Sequence, residues 1–147
     1  NYIYINSNEI QTYDDGETKV KAIAGKFKNI EGPVKGHNVE PIYFDVELND
    51  KKEFNFELPN THNSLIYLVS GEIKVGSKNH NQIKDSNLIL LSKGDNLLVK
   101  AVKKSKFLLI SGKPINEKIA RGGPFVMNTK SEILDAVNDF HNGTFVK

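Results

Sequence analysis

Ser64–Gly76 reads SLIYLVSGEIKVG, and the rest of the chain is organised around it. Ile66, Tyr67, Leu68 and Val69 form a β-branched and aromatic run that suits a pleated, buried surface. Ser70-Gly71 interrupts the run, and glycine supplies the positive φ that a tight hairpin turn requires. Glu72, Ile73, Lys74 and Val75 then alternate polar with apolar, as a strand with one wet face does. The expectation is strand, tight turn, strand. Successive residues point to opposite faces, so Ser64, Ile66 and Leu68 share one side and Leu65, Tyr67 and Val69 the other. Both sides are mostly apolar, so this strand is expected to be covered twice, once by its own barrel and once from outside.

On either side lie further short strands. Tyr2–Ile5 and Val20–Ala24 have strand composition, the second stopped by Gly25. Between them Asp14-Asp15-Gly16 reads as a turn, not an acid–base pair, and Asn49-Asp50 reads the same way. Asn29–Asn38, with Gly32-Pro33 and Gly36, reads as an ordered loop. Ile42, Phe44, Val46 and Leu48 alternate with polar residues in a half-buried strand, and Phe54, Phe56 and Leu58 repeat the pattern. Ser86–Leu91, Leu97–Val102 and Phe107–Ser111 complete the series, the last two joined by a turn at Lys103–Lys106 whose lysines form a solvated tip. Many short strands at regular spacing predict a mainly β fold, a sandwich or barrel with jelly-roll connections. Phe125, Val126 and Met127 add one more apolar strand. One helix is predicted, over Lys130–Asn142. Thr129 and Glu132 form a capping box, Ile133, Leu134, Ala136, Val137 and Phe140 fall at helical spacing, and Gly143 stops it.

The chain has 147 residues, 38% of them hydrophobic and 26% charged, which fits one globular domain with a real core. No apolar run approaches the roughly 20 residues that span a bilayer. A net charge of +2 does not argue for a nucleic-acid partner. Arg121 is the only arginine. The absence of cysteine excludes disulfides, thiolate metal sites and a cysteine nucleophile, and suits a cytoplasmic location. The chain opens at Asn1 and runs almost at once into a strand, as the middle of a longer protein would.

An antiparallel barrel with a strand-Gly-Glu-strand hairpin invites comparison with the cupins, whose metal ligands come in two motifs. With Gly71 as the closing glycine of the first, Ser64 occupies the glutamate slot, and the His-x-His slots fall on Glu57 and Pro59 or on Leu58 and Asn60. In the second, Ser92-Lys93-Gly94-Asp95-Asn96-Leu97 places leucine in the histidine slot and Ala101 in the asparagine slot. No stoichiometric metal is therefore expected here. His62, Asn63 and Ser64 are the candidate ligand contacts at the barrel mouth, the plain alternative for His62 being a hydrogen bond within its own turn. His37 and His80 fall in polar loops, and His141 in the last helical turn, where the helix dipole favours a cation. No catalytic triad, phosphate-binding loop or zinc motif is present.

The last third, Gly123-Pro124-Phe125-Val126-Met127-Asn128-Thr129 followed by Glu132-Ile133, Ala136, Asp139-Phe140, Gly143 and Phe145, resembles the C-terminal signature of the pirin family. Ile23-Ala24-Gly25, Gly32-Pro33-Val34, Ile66–Glu72 and Gly112–Glu117 extend the resemblance over most of the chain. Pirins are two-domain cupins, and the resemblance implies that residues 1–147 form the C-terminal cupin. The N-terminal cupin, which carries iron or another divalent metal and the quercetin 2,3-dioxygenase-type activity, would then lie outside this chain. The composition, rich in lysine and asparagine, suits a bacterial member. The leading expectation is a metal-free, structural half that packs on the metal domain of the same parent and has no catalytic residue of its own. The alternatives are a protein-interaction module and an independent cupin that binds a small ligand. Phe125, Met127, Ile133, Val137 and Phe140 form the candidate interface, and the isolated chain is expected to be a homodimer or a marginally stable monomer, joined through the segment from Gly122 onward.

Overall fold

A computed structural model describes residues 4–35, 38–76 and 82–146. The chain divides into two compact units, Asn1–Pro114 and Ile115–Lys147. In the first, β1 (Thr12–Asp14), β2 (Thr18–Ala24), β5 (Ile42–Leu48), β10 (Asn96–Gly112), β7 (Asn63–Val75) and β8 (Ile83–Lys84) pair in that order. β6 (Glu53–Glu57) joins β10 and β9 (Asn87–Leu90) joins β7, giving eight antiparallel strands. Two small strands, β3 (Lys26–Phe27) and β4 (Ile30–Glu31), make a hairpin of their own. The fold is mainly β with jelly-roll connections, although the hydrogen-bonded path does not close into a full barrel among the described residues.

β5 shows how sequence becomes strand here. Ile42, Phe44, Val46 and Leu48 are buried while the residues between them are half-buried, the period-2 pattern read from the sequence. Around Phe44 the core gathers an aromatic cluster. Phe27 meets Tyr13, Phe44, Phe54 and Phe56 at centroid distances of 5.5, 5.8, 5.5 and 6.0 Å. The region read as an ordered loop from Asn29 contains β4, which with β3 holds Phe27 and Ile30 in the core.

Two expected hairpins do not form. β7 runs unbroken through Ser70-Gly71, and β10 runs unbroken through Lys103–Lys106. Both strands instead kink where they lie beside each other, with register shifts between Ala101 and Phe107. Gly71 has φ +97°, and a Cβ there would overlap the Lys104 carbonyl oxygen and Ser105 Oγ. The Ser105 hydroxyl accepts from the Glu72 N–H at 3.0 Å and lies 2.7 Å from the Lys103 carbonyl. The glycine is thus a bulge residue, and a bulge demands the same positive φ as a turn. Its extra residue changes the inward phase of β7 from Ile66 and Leu68 to Ile73. The fold does not depend on a hairpin at Gly71. The lysines are also not a free tip: Lys106 Nζ lies 3.2 Å from Asp45 and 3.5 Å from Glu47, and Lys103 lies 3.4 Å from the buried Glu72. Hydrogen bonding to Asp45 holds the Lys106 ammonium above the usual lysine range.

Other expectations meet mixed outcomes. Tyr4 and Ile5 carry no strand, and the rest of Tyr2–Ile5 lies outside the described residues, as do His37 and His80. Asp14 and Asp15 are turn formers, Asp14 accepting from the Gly16 N–H and Asp15 from those of Glu17 and Thr18.

In the second unit β11 (Ala120–Gly122) and β12 (Phe125–Met127) form a hairpin, followed by α1 (Lys130–Asn142), whose bounds match those predicted. Ala136 is buried, Ile133 and Val137 are half-buried, and Ile133 fills the space beside Gly122. Phe125 packs against Phe140 at 6.0 Å and Phe145 at 5.1 Å between ring centroids, and Met127 is half-buried. Of the candidate interface, Phe125, Met127, Ile133 and Val137 are half-buried within this unit and Phe140 stays exposed, as does Leu134.

The cap is complete: Thr129 Oγ1 accepts from the Glu132 N–H at 3.2 Å, and Glu132 accepts from the N–H groups of Asn128 and Thr129. The Thr129 hydroxyl, which donates to the Glu132 carboxylate at 2.9 Å, and then those two N–H groups hold the carboxyl below its ordinary range. A depressed carboxyl stabilises above its unfolded pKa and loses that contribution as pH falls through the folded pKa. Acidification is therefore expected to open this helix end, seen as faster exchange of the Glu132 amide. Thr129→Ala is expected to do the same at neutral pH, at a cost of about 1 kcal/mol.

Candidate functional site

The inward register of a sheet is normally hydrocarbon. In β7 that register reads Ser64, Ile66, Leu68, and in β10 it reads Ser105, Phe107, Leu109, Ser111. Ser64 and Ser111 are direct cross-strand partners, so two hydroxyls meet at the same end of the core. Their Oγ atoms are 2.8 Å apart, and Ser111 Oγ is 3.2 Å from His62 Nδ1.

His62 precedes β7 in a loop fixed by several bonds. Its backbone N–H donates to the Pro59 carbonyl at 3.0 Å, but its imidazole bonds Ser111, 49 residues away, rather than its own turn. Lys93 Nζ donates to the carbonyl oxygens of Thr61 and His62 at 3.1 and 2.7 Å, and to Asn63 Oδ1 at 2.9 Å. The imidazole is not a surface group, however. His62 is only 4% exposed, and its Nε2 is buried without a hydrogen-bond partner among the described residues. That atom faces Glu40 Oε2 at 3.9 Å, too long for a hydrogen bond. Glu40 Oε1 in turn lies 3.5 Å from Lys113 Nζ. A cavity of about 340 Å³ opens on His62, walled by Val34, Pro41, Ile42 and Pro59 with Glu40 at its edge.

Of the three candidate contacts, the structure brings His62 and Ser64 together through Ser111 and turns Asn63 outward to Lys93. Ser111, Glu40 and Lys93 were not singled out from the sequence. A serine in the phase of Phe107 and Leu109 was the available signal for Ser111. Ser111→Ala is expected to cost about 1–3 kcal/mol by removing the side-chain partner of the buried His62 Nδ1. Urea unfolding checks this, and the His62 ring resonances should broaden or shift.

Three of the cupin ligand slots hold Ser64, Leu97 and Ala101. Leu97 and Ala101 are buried in the hydrophobic core, and the Ser64 hydroxyl is engaged by Ser111. Among the described residues no three His, Cys, Asp or Glu side chains gather in one place. Among the described residues His62 and Glu40 offer two donors at this place, where a transition-metal site uses three or four.

Residues 43–146 match the Pirin C-terminal cupin domain. The chain belongs to the pirin family. A pirin-like protein from Caulobacter vibrioides is 33% identical over 132 residues, covering 89% of this chain and 47% of that protein. Human pirin is 33% identical over 144 residues, covering 96% of this chain and 49% of its own length. A crystal structure titled quercetin 2,3-dioxygenase from Acinetobacter baumannii superposes with a TM-score of 0.82 at 30% identity, covering 96% of this chain and 49% of that one. This pirin chain therefore spans about half the length of the relatives it matches. In that light the bent strands of this pirin domain are the jelly-roll framework of a cupin. No helix among the described residues is long and apolar enough to cross a membrane.

Proposed function

We propose that this chain is the structural, metal-free cupin half of a two-cupin pirin, a cytoplasmic protein whose N-terminal cupin holds the divalent metal and performs a quercetin 2,3-dioxygenase-type oxidation. The observation that carries this reading is the outer face of the main sheet. Two apolar rows cross it: Leu90, Leu65, Ile110 and Tyr43 in one, and Leu88, Tyr67 and Leu108 in the other. Leu90 is 76% exposed, Leu88 59% and Tyr67 39%. A soluble protein rarely leaves so continuous a patch open, because burying each such side chain is worth roughly 1.5–3 kcal/mol. The relatives have about another domain's length of chain, and in this reading that domain covers the face in cis. Leucine and alanine in the ligand slots fit a half whose task is packing.

The parent protein and this chain should be compared directly. The expected result is one metal per parent chain, none in this chain, and protection of the Leu65–Tyr67 and Leu88–Leu90 face from hydroxyl-radical labelling in the parent only. Stoichiometric metal in this chain alone, lost on His62→Ala, would overturn the reading. So would equal labelling of the face in both proteins. Protection that rises with concentration of this chain alone would point instead to a homodimer.

A further inference from the structure

Exposure on the outer face of the main sheet climbs toward one edge. Tyr43, Leu65 and Leu108 are half-buried, Ile110 and Tyr67 are 38% and 39% exposed, and Leu88 and Leu90 on β9 are the most open. β9 is an edge strand, paired only with β7 among the described residues. The Leu91 N–H donates to the Ser64 carbonyl at 3.0 Å, and in an antiparallel ladder the bonded positions alternate. Asn87, Ile89 and Leu91 therefore bond toward β7, and the N–H and C=O groups of Leu88 and Leu90 point out of the sheet edge. The edge carries few of the usual guards against further pairing. Asn87–Ser92 has no charge and no proline, whereas the opposite edge, β1, is three residues long and ties Asp14 to Lys19. We propose that the domain covering this face in cis adds one of its own strands to β9, hydrogen-bonded to the backbone of Leu88 and Leu90.

This pairing rests on the two-cupin reading above and adds to it a defined backbone contact. Leu88 and Leu90 have the most side chain left to bury. A cover that buries them overhangs the edge and takes water from the two N–H and two C=O groups beside them. Left unpaired there, each group costs about 1–3 kcal/mol, comparable to what burying its leucine gains. A helix laid over the edge keeps its own N–H and C=O groups for itself, whereas a strand in the plane of the sheet meets all four. The segment that fits is extended, at least about three residues long, with apolar side chains at alternate positions to sit beside Leu88 and Leu90. The added domain length in the relatives is where such a segment comes from.

Backbone amide exchange in the parent protein and in this chain tests the pairing residue by residue. The Leu88 and Leu90 amides are expected to exchange freely in this chain and at least roughly a hundredfold more slowly in the parent. The Ile89 amide, bonded to β7, should be slow in both. A face shielded from hydroxyl-radical labelling in the parent, with the Leu88 and Leu90 amides still fast, would overturn the added strand and leave the cis cover standing. Equal labelling of the face in both proteins would remove the cover and the strand together. Slow exchange of both amides in this chain alone, growing with concentration, would overturn the pairing in favour of a second copy. Leu88→Pro removes the outward donor while sparing the bonds to β7, and Leu88→Ser removes the side chain but keeps that donor. In the parent, Leu88→Pro should speed exchange at Leu90 roughly tenfold more than Leu88→Ser, the worth of one hydrogen bond. Equal effects of the two substitutions would overturn the proposal.

Discussion

Gly71→Ala is expected to destabilise the first unit by about 2–5 kcal/mol, from the left-handed backbone and the overpacking together. The residue sits at φ +97°, and the added methyl has nowhere to go, because the Lys104 carbonyl and Ser105 Oγ already fill that space. Relief would require β10 to move away, breaking the bonds that tie Ser105 to Glu72 and to the Lys103 carbonyl. Against a typical domain stability of roughly 5–15 kcal/mol this is a large loss. Urea unfolding should show a lowered midpoint with an unchanged slope. A loss below about 1 kcal/mol would mean that the kink is carried by other residues, since ordinary surface substitutions fall in that range.

Phe27→Ala is the second large effect, expected at about 3–5 kcal/mol. Phe27 is 4% exposed and shares ring contacts with four other aromatic side chains, each such pair adding to simple burial. The cavity left behind would be lined by rings that cannot collapse into it, being held on β1, β5 and β6. Phe27→Leu should recover more than half of the loss. The same urea measurement decides it, and equal losses for Ala and Leu would show that ring stacking, not volume, sets the cost.

These two positions also show where sequence reading stops. β5 and α1 were legible to the residue because each carries its own period: strict alternation in one, and a capping box with an apolar stripe and a glycine stop in the other. Gly71 was visible as a special backbone position, but positive φ is common to a hairpin and a bulge. Only the partner strand distinguishes them, and its kink lies some thirty residues further on, at Lys103–Lys106. Phe27 sits beside Gly25 and among polar residues, so no pattern announces that it enters the core. The site divides in the same way. His62 and Ser64 are close in sequence and were found, whereas Ser111 lies 49 residues from His62 and was not. Its partnership depends on strand order. Glu40 reaches the site through a loop with positive φ of its own, a conformation glutamate rarely signals.

The unbroken passage of β7 and β10 through their shared kink also orders the way the chain assembles. Their partners nearest in the chain are Val75 and Val99, and the farthest are Asn63 and Gly112. Pairing can start at the near end and zip toward the far end only if the bulge at Gly71 forms midway. β5 must then find β10 across a still larger loop, joining Val46 to Phe107. Contacts so distant in sequence close slowly, which places folding in the millisecond-to-second range typical of β topologies. The Gly71 bulge stands between the early half of that process and the late half, and a substitution there should slow refolding as well as lower stability.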